Sequence, residues 1–355
     1  MGIQMINKNK YLELLNSTEN KDIYSEEILQ LLKYVHDNMP KSLFHYRRCS
    51  EQSIEAFREN KLYFNTASNF NDPYDCLVYC DIKAIEKEIE TVGKDDSIRF
   101  LTELVNNPEM VNSAPIQILP EFISKIKESV SGEDLPNRLS GYDEQYWIKI
   151  KNVLKNAANE VNQSALLYYQ TQMPLVCLSE KHNNILMWSH YADNHKGFVV
   201  EYDSKSLIRN CNNCPEKKDF RTCKDWCSTT LLPIMYTNQR YNATGYVADS
   251  TISNIFNSNG LQGLWRHRDC FAQYKINIYK HPCWNYEKEW RLQLYNLNGK
   301  KEINNVKPVA IYLGCRIAKC YEDILVKYAK EQNIKIYKMD EHPSKIGYKF
   351  NKKKY

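Results

Sequence analysis

The stretch Trp284-Asn-Tyr-Glu-Lys-Glu-Trp-Arg291 groups aromatic and ionisable residues more densely than the rest of the sequence. Because aromatic side chains favour a pleated, half-buried surface, this composition predicts a β-strand. Side chains alternate between the two faces of a strand, so Glu287, Glu289 and Arg291 are predicted to share one face. The two carboxylates would then lie roughly 6.5–7 Å apart, given a rise of about 3.3 Å per residue. A buried pair at this distance can serve as acid and base because the two pKa values differ, whereas a solvated face on which Arg291 neutralises Glu289 would have no chemical role.

Composition excludes some classes of protein and leaves others open. A chain of 355 residues is long enough for one large domain with insertions, or for two domains. No apolar run approaches the ~18 residues that a membrane span needs, and Met1–Lys10 lacks the apolar segment of a signal peptide, so we predict a cytoplasmic protein with no membrane partner. The net charge of +5 is too small to indicate nucleic-acid binding by itself, although it does not oppose an anionic substrate.

The order of predicted elements indicates an α+β fold with a mixed, mainly antiparallel sheet in a single domain over 41–341. Residues 1–40 are predicted to form a helical lead-in that packs on this domain, because their apolar positions recur at helical spacing. Helical periodicity over 82–172 predicts an inserted helical segment. The basic end of the chain, 342–355, is predicted to be a loose, solvated tail.

The first unit of the domain carries several candidate binding residues. A predicted strand, Leu43–Arg48, places His45 and Arg47 on one face. A helix that Ser50 can cap follows. The next predicted strand carries Tyr63, so strand, helix and strand form a compact unit.

Polar residues crowd the segment that follows, Ser68–Asp75. Asn71 or Asp72 can hydrogen-bond its own backbone, and a proline fixes the next φ angle, so the segment is predicted to be a turn. Polar loops directly after strands commonly carry functional sites. The alternative is a capped turn that only leads into a further strand at Cys76–Cys80.

A second strand–helix–strand unit surrounds His190 and Tyr191. These residues lie in a predicted helix over Ile185–Ala192, which Gly197 is expected to cap. His190 and Tyr191 are candidates for the site, but a lone helical histidine also commonly serves as a structural hydrogen-bonding group.

The sharpest local motif is a set of four cysteines within 204–230. Their spacing, C-x2-C-x8-C-x3-C, is typical of a small zinc knuckle. The segment between the two pairs is too polar to form a core, so we predict a structural Zn²⁺ that holds it together. The alternative is four incidental thiols in a loop. The predicted ligands are Cys211, Cys214, Cys223 and Cys227.

Several motifs together resemble a known bacterial family. They are Phe44-His-Tyr-Arg, Leu62-Tyr-Phe with Phe70-Asn-Asp-Pro-Tyr-Asp75, Cys177-Leu-Ser, Met187-Trp-Ser-His-Tyr-Ala192 with His195-Lys-Gly197, and Trp284-x-Tyr-Glu-x-Glu-Trp-Arg291. This set is similar to the family called domain of unknown function 2971, and the resemblance runs from about Leu43 to Tyr337. The order of elements is also similar to that of the ADP-ribosyltransferase superfamily.

The resemblance to ADP-ribosyltransferases implies NAD as a substrate and assigns roles to several residues. His45 or Arg47 would hold NAD, the region from Tyr63 to Asn71 would supply the second strand's contribution, and Glu289, with Glu287, would be catalytic. These roles suit the residue types, because a glutamate can stabilise an oxocarbenium-like centre and an arginine can bind pyrophosphate bidentately.

Three hypotheses follow for the function. The first is an enzyme that transfers ADP-ribose from NAD or a related nucleotide to a protein or nucleic acid, as a toxin or phage-defence effector. The second is a hydrolase or nuclease that uses a divalent ion, and the third is a non-catalytic module that binds a ligand or nucleic acid. The composite site is predicted to contain the catalytic residues Glu287, Glu289 and His190, and the binding residues His45, Arg47, Tyr63, Asn71, Asp72, Tyr191 and Arg291.

Overall fold

The structure, a computed structural model, describes residues 6–21, 25–88, 170–171, 173–208, 229–258, 269–294, 302–341 and 350–355. The helices are α1 (Lys8–Ser17), α2 (Glu26–Asn38), α3 (Glu51–Arg58), α4 (Ile185–Tyr191), α5 (Ser204–Ile208), α6 (Thr244–Ser258), α7 (Ala272–Ile276) and α8 (Lys319–Glu331). The strands are β1 (Ser42–Arg47), β2 (Leu62–Tyr63), β3 (Asn65–Thr66), β4 (Pro174–Ser179), β5 (Phe198–Asp203), β6 (Thr229–Pro233), β7 (Met235–Tyr236), β8 (Tyr279–Lys280), β9 (Glu289–Leu294), β10 (Glu302–Ile303), β11 (Ala310–Leu313), β12 (Lys335–Glu341) and β13 (Phe350–Lys354). Two 3-10 turns, Ala67–Asn69 and Pro282–Glu287, are also present.

A nine-stranded sheet forms the centre of the described structure. Its order is β13-β12-β11-β5-β1-β4-β9-β6, with β3 paired to β4. Neighbouring strands run antiparallel except β11 and β12, which are parallel and are joined by α8. The prediction of a mixed, mainly antiparallel sheet with several helices is therefore confirmed.

Both faces of the central strands are buried, because alternate side chains enter two separate cores. On one face, Leu43 of β1 lies in a cluster with residues of α1, α2, α3 and α8. On the other face, Phe44 packs in a cluster that contains Trp188 of α4. Leu15 and Leu31 of the first two helices belong to the larger cluster, so these helices pack against the central sheet.

Local capping explains where several helices begin. The side chains of Asn7, Ser25, Ser50 and Asn184 each accept hydrogen bonds from backbone N–H groups in the first turn of the helix that follows. The predicted cap at Ser50 is confirmed, and Ser53 completes a capping box with it. This cap fixes the start of α3 directly after β1.

The sheet opens between β1 and β4. Strand β1 pairs with β5 along its whole length, from Ser42 to Arg47. In contrast, its described pairing with β4 is a single position, Phe44 with Ser179. The two strands therefore leave a gap beyond that pair, and the candidate site lies there.

Gly197 lies where the chain passes close to β1. The predicted cap role is wrong, because α4 ends at Tyr191 and the residues with positive φ are Asp193, Asn194 and His195. The requirement for glycine comes from packing instead, since a Cβ atom at position 197 would lie 2.1 Å from the carbonyl oxygen of Arg47.

Three local predictions are wrong. The segment Pro282–Glu287 is a 3-10 turn rather than a strand, because Lys288 adopts a left-handed conformation with φ of 46° and β9 starts only at Glu289. Residues 76–80 form turns and a single bridge at Tyr79 rather than a strand. Part of the predicted loose tail, Phe350–Lys354, pairs antiparallel with β12 as an edge strand.

Most of the predicted insertions lie outside the described residues. Residues 82–88 are helical, but 89–169 are not among those described, so the helical insertion over 82–172 stays a prediction. The four cysteines at 211, 214, 223 and 227 also lie outside the described ranges, as does the knuckle they would form. Within those ranges, no group of three or more His, Cys, Asp or Glu side chains is arranged to hold a metal ion. No described helix is both long and apolar enough to cross a membrane.

Candidate active site

A cavity of about 710 Å³ occupies the gap between β1 and β4. Its volume lies within the range of roughly 300–1,000 Å³ that is common for small-molecule sites. Side chains from β1, the start of α3, β4 and α4 line the cavity, and Glu287 and Glu289 lie on its floor. Because the gap interrupts the sheet, polar groups on the sheet can face a ligand inside it.

Lys280 of β8 lies at the centre of the acidic floor. Its Nζ atom is 2.7 Å from Oε2 of Glu287, 2.8 Å from Oε2 of Glu289 and 3.5 Å from Oδ2 of Asp75. The two glutamates bind the same ammonium, so their oxygens lie closer together than the strand geometry predicted. The ammonium has three N–H groups, and each can point to one of the three carboxylates.

Arg291 supports this floor from behind and does not line the cavity. Its side chain is fully buried, with an exposed fraction of 0%. Nε donates to Oε1 of Glu289 at 2.7 Å, Nη2 donates to Oδ2 of Asp75 at 2.7 Å, and Nη1 donates to the backbone carbonyl of Asn277 at 2.7 Å. Arg291 is therefore a buried support for two carboxylates, and the structure gives it no contact with the cavity where a substrate would bind.

The two glutamates differ in their proton affinity. Burial, together with the negative charge of Glu289, raises the pKa of the Glu287 carboxyl to about 7, against the opposing effect of Lys280. Burial also disfavours the charge on Glu289, but Arg291 and Lys280 outweigh it and lower the pKa of that carboxyl. Glu289 is thus ionised at neutral pH, while Glu287 exchanges a proton there, as a general acid or base requires.

Tyr191 of α4 contacts the glutamate that titrates near neutrality. Its hydroxyl lies 2.5 Å from Oε1 of Glu287 and 3.2 Å from Oδ1 of Asn71. Burial and the charge of Glu287 raise the pKa of Tyr191, so the phenol stays protonated. These contacts place α4 and the polar turn beside the carboxylates.

Another wall of the cavity is basic. Arg47 is half-buried and makes no hydrogen bond or ion pair with the described part of the chain. Nδ1 of His45 is buried and also has no hydrogen-bond partner among the described residues. Burial and the charge of Arg47 lower the pKa of His45, so its ring is neutral. Two nitrogen-bearing groups are therefore available to a ligand with anionic oxygens.

Most of the predicted site residues lie around one cavity. The lining includes His45, Arg47, Tyr63, Asn71, His190, Tyr191, Glu287 and Glu289. His190 is exposed and makes no hydrogen bond to either glutamate within the described structure, so nothing in its contacts gives it a catalytic role. Asp72 is buried outside the cavity lining, and its Oδ1 accepts the backbone N–H of Tyr74. Asp72 therefore stabilises the turn, and the role predicted for it in binding stays a prediction.

Sequence reasoning missed Lys280 and Asp75. Asp75 ends the polar segment Ser68–Asp75, and Lys280 lies four residues before Trp284. The positions of Lys280 and Asp75 in the sequence do not indicate their ion pairs, since Asp75 lies 216 positions from its partner Arg291.

The fold and cavity define an α/β protein with a buried acidic centre in an interrupted sheet. A family model described as a protein of unknown function, DUF2971, matches residues 187–292. The matched segment begins in α4 and ends in β9, so it includes Tyr191, Lys280 and both glutamates. This match supports the predicted relationship to that family. No curated protein and no solved structure matches the chain.

Proposed function

We propose that this protein is an ADP-ribosyltransferase-like enzyme that breaks the N-glycosidic bond of NAD or a related nucleotide. The observation that carries the proposal is one cavity with a glutamate of raised pKa on its floor and, on its wall, an arginine that has no ionic partner among the described residues. Such a cavity suits a substrate with an anionic group at one end and a centre that develops positive charge at the other.

In the proposed reaction, the bond between ribose C1 and the nicotinamide nitrogen breaks, and nicotinamide leaves with the electron pair. A nucleophilic oxygen or nitrogen of a protein, nucleic acid or water then bonds to C1. Glu287 accepts the proton that the nucleophile loses, because its pKa near 7 makes it an effective base at neutral pH. The negative charges of the floor stabilise the oxocarbenium-like centre, while Arg47 binds pyrophosphate oxygens.

Lys280 and Arg291 explain why the acidic floor can exist. Three carboxylates held together without cations would repel one another and take up protons. Their charges are instead balanced by two buried cations. These cations keep Glu289 ionised, while the pKa of Glu287 stays near 7. Because the Lys280 ammonium already occupies the space among the carboxylates, the geometry favours the transferase over the alternative hydrolase that would place a divalent ion there.

The first test is binding and turnover of NAD. We expect NAD to raise the melting temperature of the protein and nicotinamide to be released on incubation, detected by chromatography. Glu287→Gln should retain NAD binding and reduce nicotinamide release by at least about a hundredfold, the usual range for removal of a general base. Absence of NAD binding at millimolar concentration would remove the proposal.

Arg47 provides an independent test of the basic wall. Arg47→Ala should weaken NAD binding by roughly tenfold or more, because a charged hydrogen bond to the ligand contributes about 1.5–3 kcal/mol. The matched control is Arg58→Ala on α3, an arginine that pairs with two glutamates away from the cavity lining. Equal loss of affinity in both variants would contradict the role given to Arg47.

A further inference from the structure

The Tyr191 hydroxyl faces two acceptors. Oε1 of Glu287 lies 2.5 Å from it, and Oδ1 of Asn71 lies 3.2 Å from it. A phenol has one proton, so it can donate to only one of the two oxygens at a time. Both contacts are satisfied together when Glu287 carries a proton, because the carboxyl then donates to the phenol oxygen and the phenol donates to Asn71.

Lys280 does not provide a second route for this proton. Its three N–H groups face three carboxylates, and although burial opposes its charge, Glu289 and Asp75 raise the pKa of its ammonium. An ammonium that stays protonated cannot take up a proton from Glu287. Since the Glu287 side chain is only 2% exposed, Tyr191 is the described side chain that can pass its proton outward.

Asn71 lies where this contact reaches the surface. Its residue is exposed, whereas Tyr191 is half-buried and Glu287 is buried. The three residues therefore lead from the floor of the cavity to solvent at its mouth.

We propose that Tyr191 and Asn71 form a proton switch for Glu287. In this switch Asn71 accepts a hydrogen bond from the Tyr191 hydroxyl, which leaves the phenol oxygen free to accept one from the protonated Glu287 carboxyl and so favours that form. When Glu287 loses its proton, Tyr191 turns its own proton to the carboxylate and releases Asn71. In this scheme Tyr191 and Asn71 are positioning residues that set the protonation of the glutamate. The proton itself passes between Glu287, the phenol oxygen and water at the mouth of the cavity.

Other charged and titratable groups also surround Glu287 and must be held constant in a test. They are Lys280 of β8, Glu289 of β9, Tyr236 of β7, Tyr286 of the same 3-10 turn and Asp75. None of them forms a hydrogen bond or ion pair with Asn71 in the described structure. A substitution at Asn71 therefore changes the switch and leaves these groups in place.

The importance of the switch for turnover rests on the proposed function, but its effect on Glu287 is measurable without substrate. The measurement is a pH titration of the side-chain carboxyl carbons by NMR on protein labelled with ¹³C-glutamate. The Glu287 signal is assigned by its loss in Glu287→Gln. In the wild-type protein we expect a midpoint of about 7.

Two variants should move this midpoint in opposite directions. Asn71→Leu removes the acceptor, so Tyr191 donates fully to the carboxylate and the midpoint should fall. Tyr191→Phe removes the donor to the carboxylate, so the midpoint should rise by roughly one pH unit or more. Both changes preserve the fold, because Asn71 is exposed and phenylalanine keeps the ring of Tyr191, and melting temperatures verify this.

Asn69→Leu is the matched control, since Asn69 lines the same cavity on the same turn and bonds to Asn65 rather than to Tyr191. Its midpoint should equal that of the wild-type protein. A higher Glu287 midpoint in Asn71→Leu would show that the Asn71 amide donates to Tyr191 instead of accepting, and this would overturn the switch. An unchanged midpoint in Tyr191→Phe would also overturn it. If the titrations behave as expected while NAD fails to bind, the switch stands and the proposed substrate fails.

Discussion

Replacing Glu287 by glutamine should change how stability depends on pH. The carboxyl titrates near 4.5 in an unfolded chain and near 7 in the folded protein. Between these pH values the folded state holds an extra proton on Glu287, so the contribution of this group to stability falls as pH rises through the window. Each pKa unit corresponds to about 1.4 kcal/mol, so a difference of about 2.5 between the two pKa values amounts to roughly 3 kcal/mol of folding free energy.

Glutamine resembles the protonated carboxyl and does not titrate. Near pH 4.5 the two proteins should have similar free energies of unfolding. At pH 8 the Glu287→Gln variant should be more stable by about 3 kcal/mol, because the wild-type protein then buries an ionised carboxylate at a cost in free energy. The burial of this side chain, only 2% exposed, justifies using the full value without correction for solvent screening.

The assay is urea unfolding followed by circular dichroism at closely spaced pH values from 4.5 to 8. The quantity of interest is the difference in free energy of unfolding between variant and wild type, which removes contributions from other groups. Glu331→Gln on the exposed surface of α8 is the matched control, and its profile should run parallel to that of the wild type. Parallel profiles for Glu287→Gln, or a difference that grows toward low pH, would refute the reasoning.

Three further substitutions test contacts that stabilise the central sheet and the carboxylates. Arg291→Met should lower the free energy of unfolding by about 3–5 kcal/mol, measured in urea, because it removes one of the two buried cations that balance the carboxylates of Asp75 and Glu289; a loss below 1 kcal/mol would contradict this. Gly197→Ala should cost roughly 1–3 kcal/mol, since the new Cβ meets the carbonyl of Arg47 at 2.1 Å, and a melting temperature equal to that of the wild type would count against it. Tyr312→Phe should cost about 1.5–3 kcal/mol through loss of its 2.6 Å bond to Glu201, and hydrogen exchange should quicken in β13 first.

Local signals were sufficient for much of the sheet and its helices. The strand β1 and helix α3 follow from alternation and from the cap at Ser50, and both depend on neighbouring residues only. Helix α4 was equally predictable, because Asn184 caps it and apolar residues recur along one face. Short-range hydrogen bonds decide such elements, so sequence patterns capture them.

The edge strand β13 shows what a local pattern cannot predict. Its sequence, Phe350-Asn-Lys-Lys-Lys354, is polar and resembles a solvated tail. Its register is set by β12, where Tyr337 pairs with Lys354 and Glu341 with Phe350. Lysines also protect an exposed sheet edge from pairing with other chains, so the same residues suit both a tail and an edge strand.

The stretch Trp284–Arg291 borders the cavity, but its geometry differs from the predicted strand. Alternation along a strand placed both glutamates on one face, whereas Lys288 in a left-handed conformation turns Glu287 toward Lys280 at the end of a 3-10 turn. Positive φ at a lysine is uncommon and has no sequence signature. The pairing of Tyr191 with Glu287, 96 positions apart, likewise depends on tertiary structure alone.

The single residue pair between β1 and β4 has a mechanical consequence. Backbone hydrogen bonds transmit force between strands, and here the strands on either side of the gap are joined at Phe44 and Ser179 alone. A ligand that contacts Arg47 on one side of the gap and the carboxylate floor on the other would link the strands on the two sides. Binding should therefore stiffen the two halves of the sheet against each other, and the backbone amides of β1 and β4 would report it as slower exchange even at positions that the ligand does not touch.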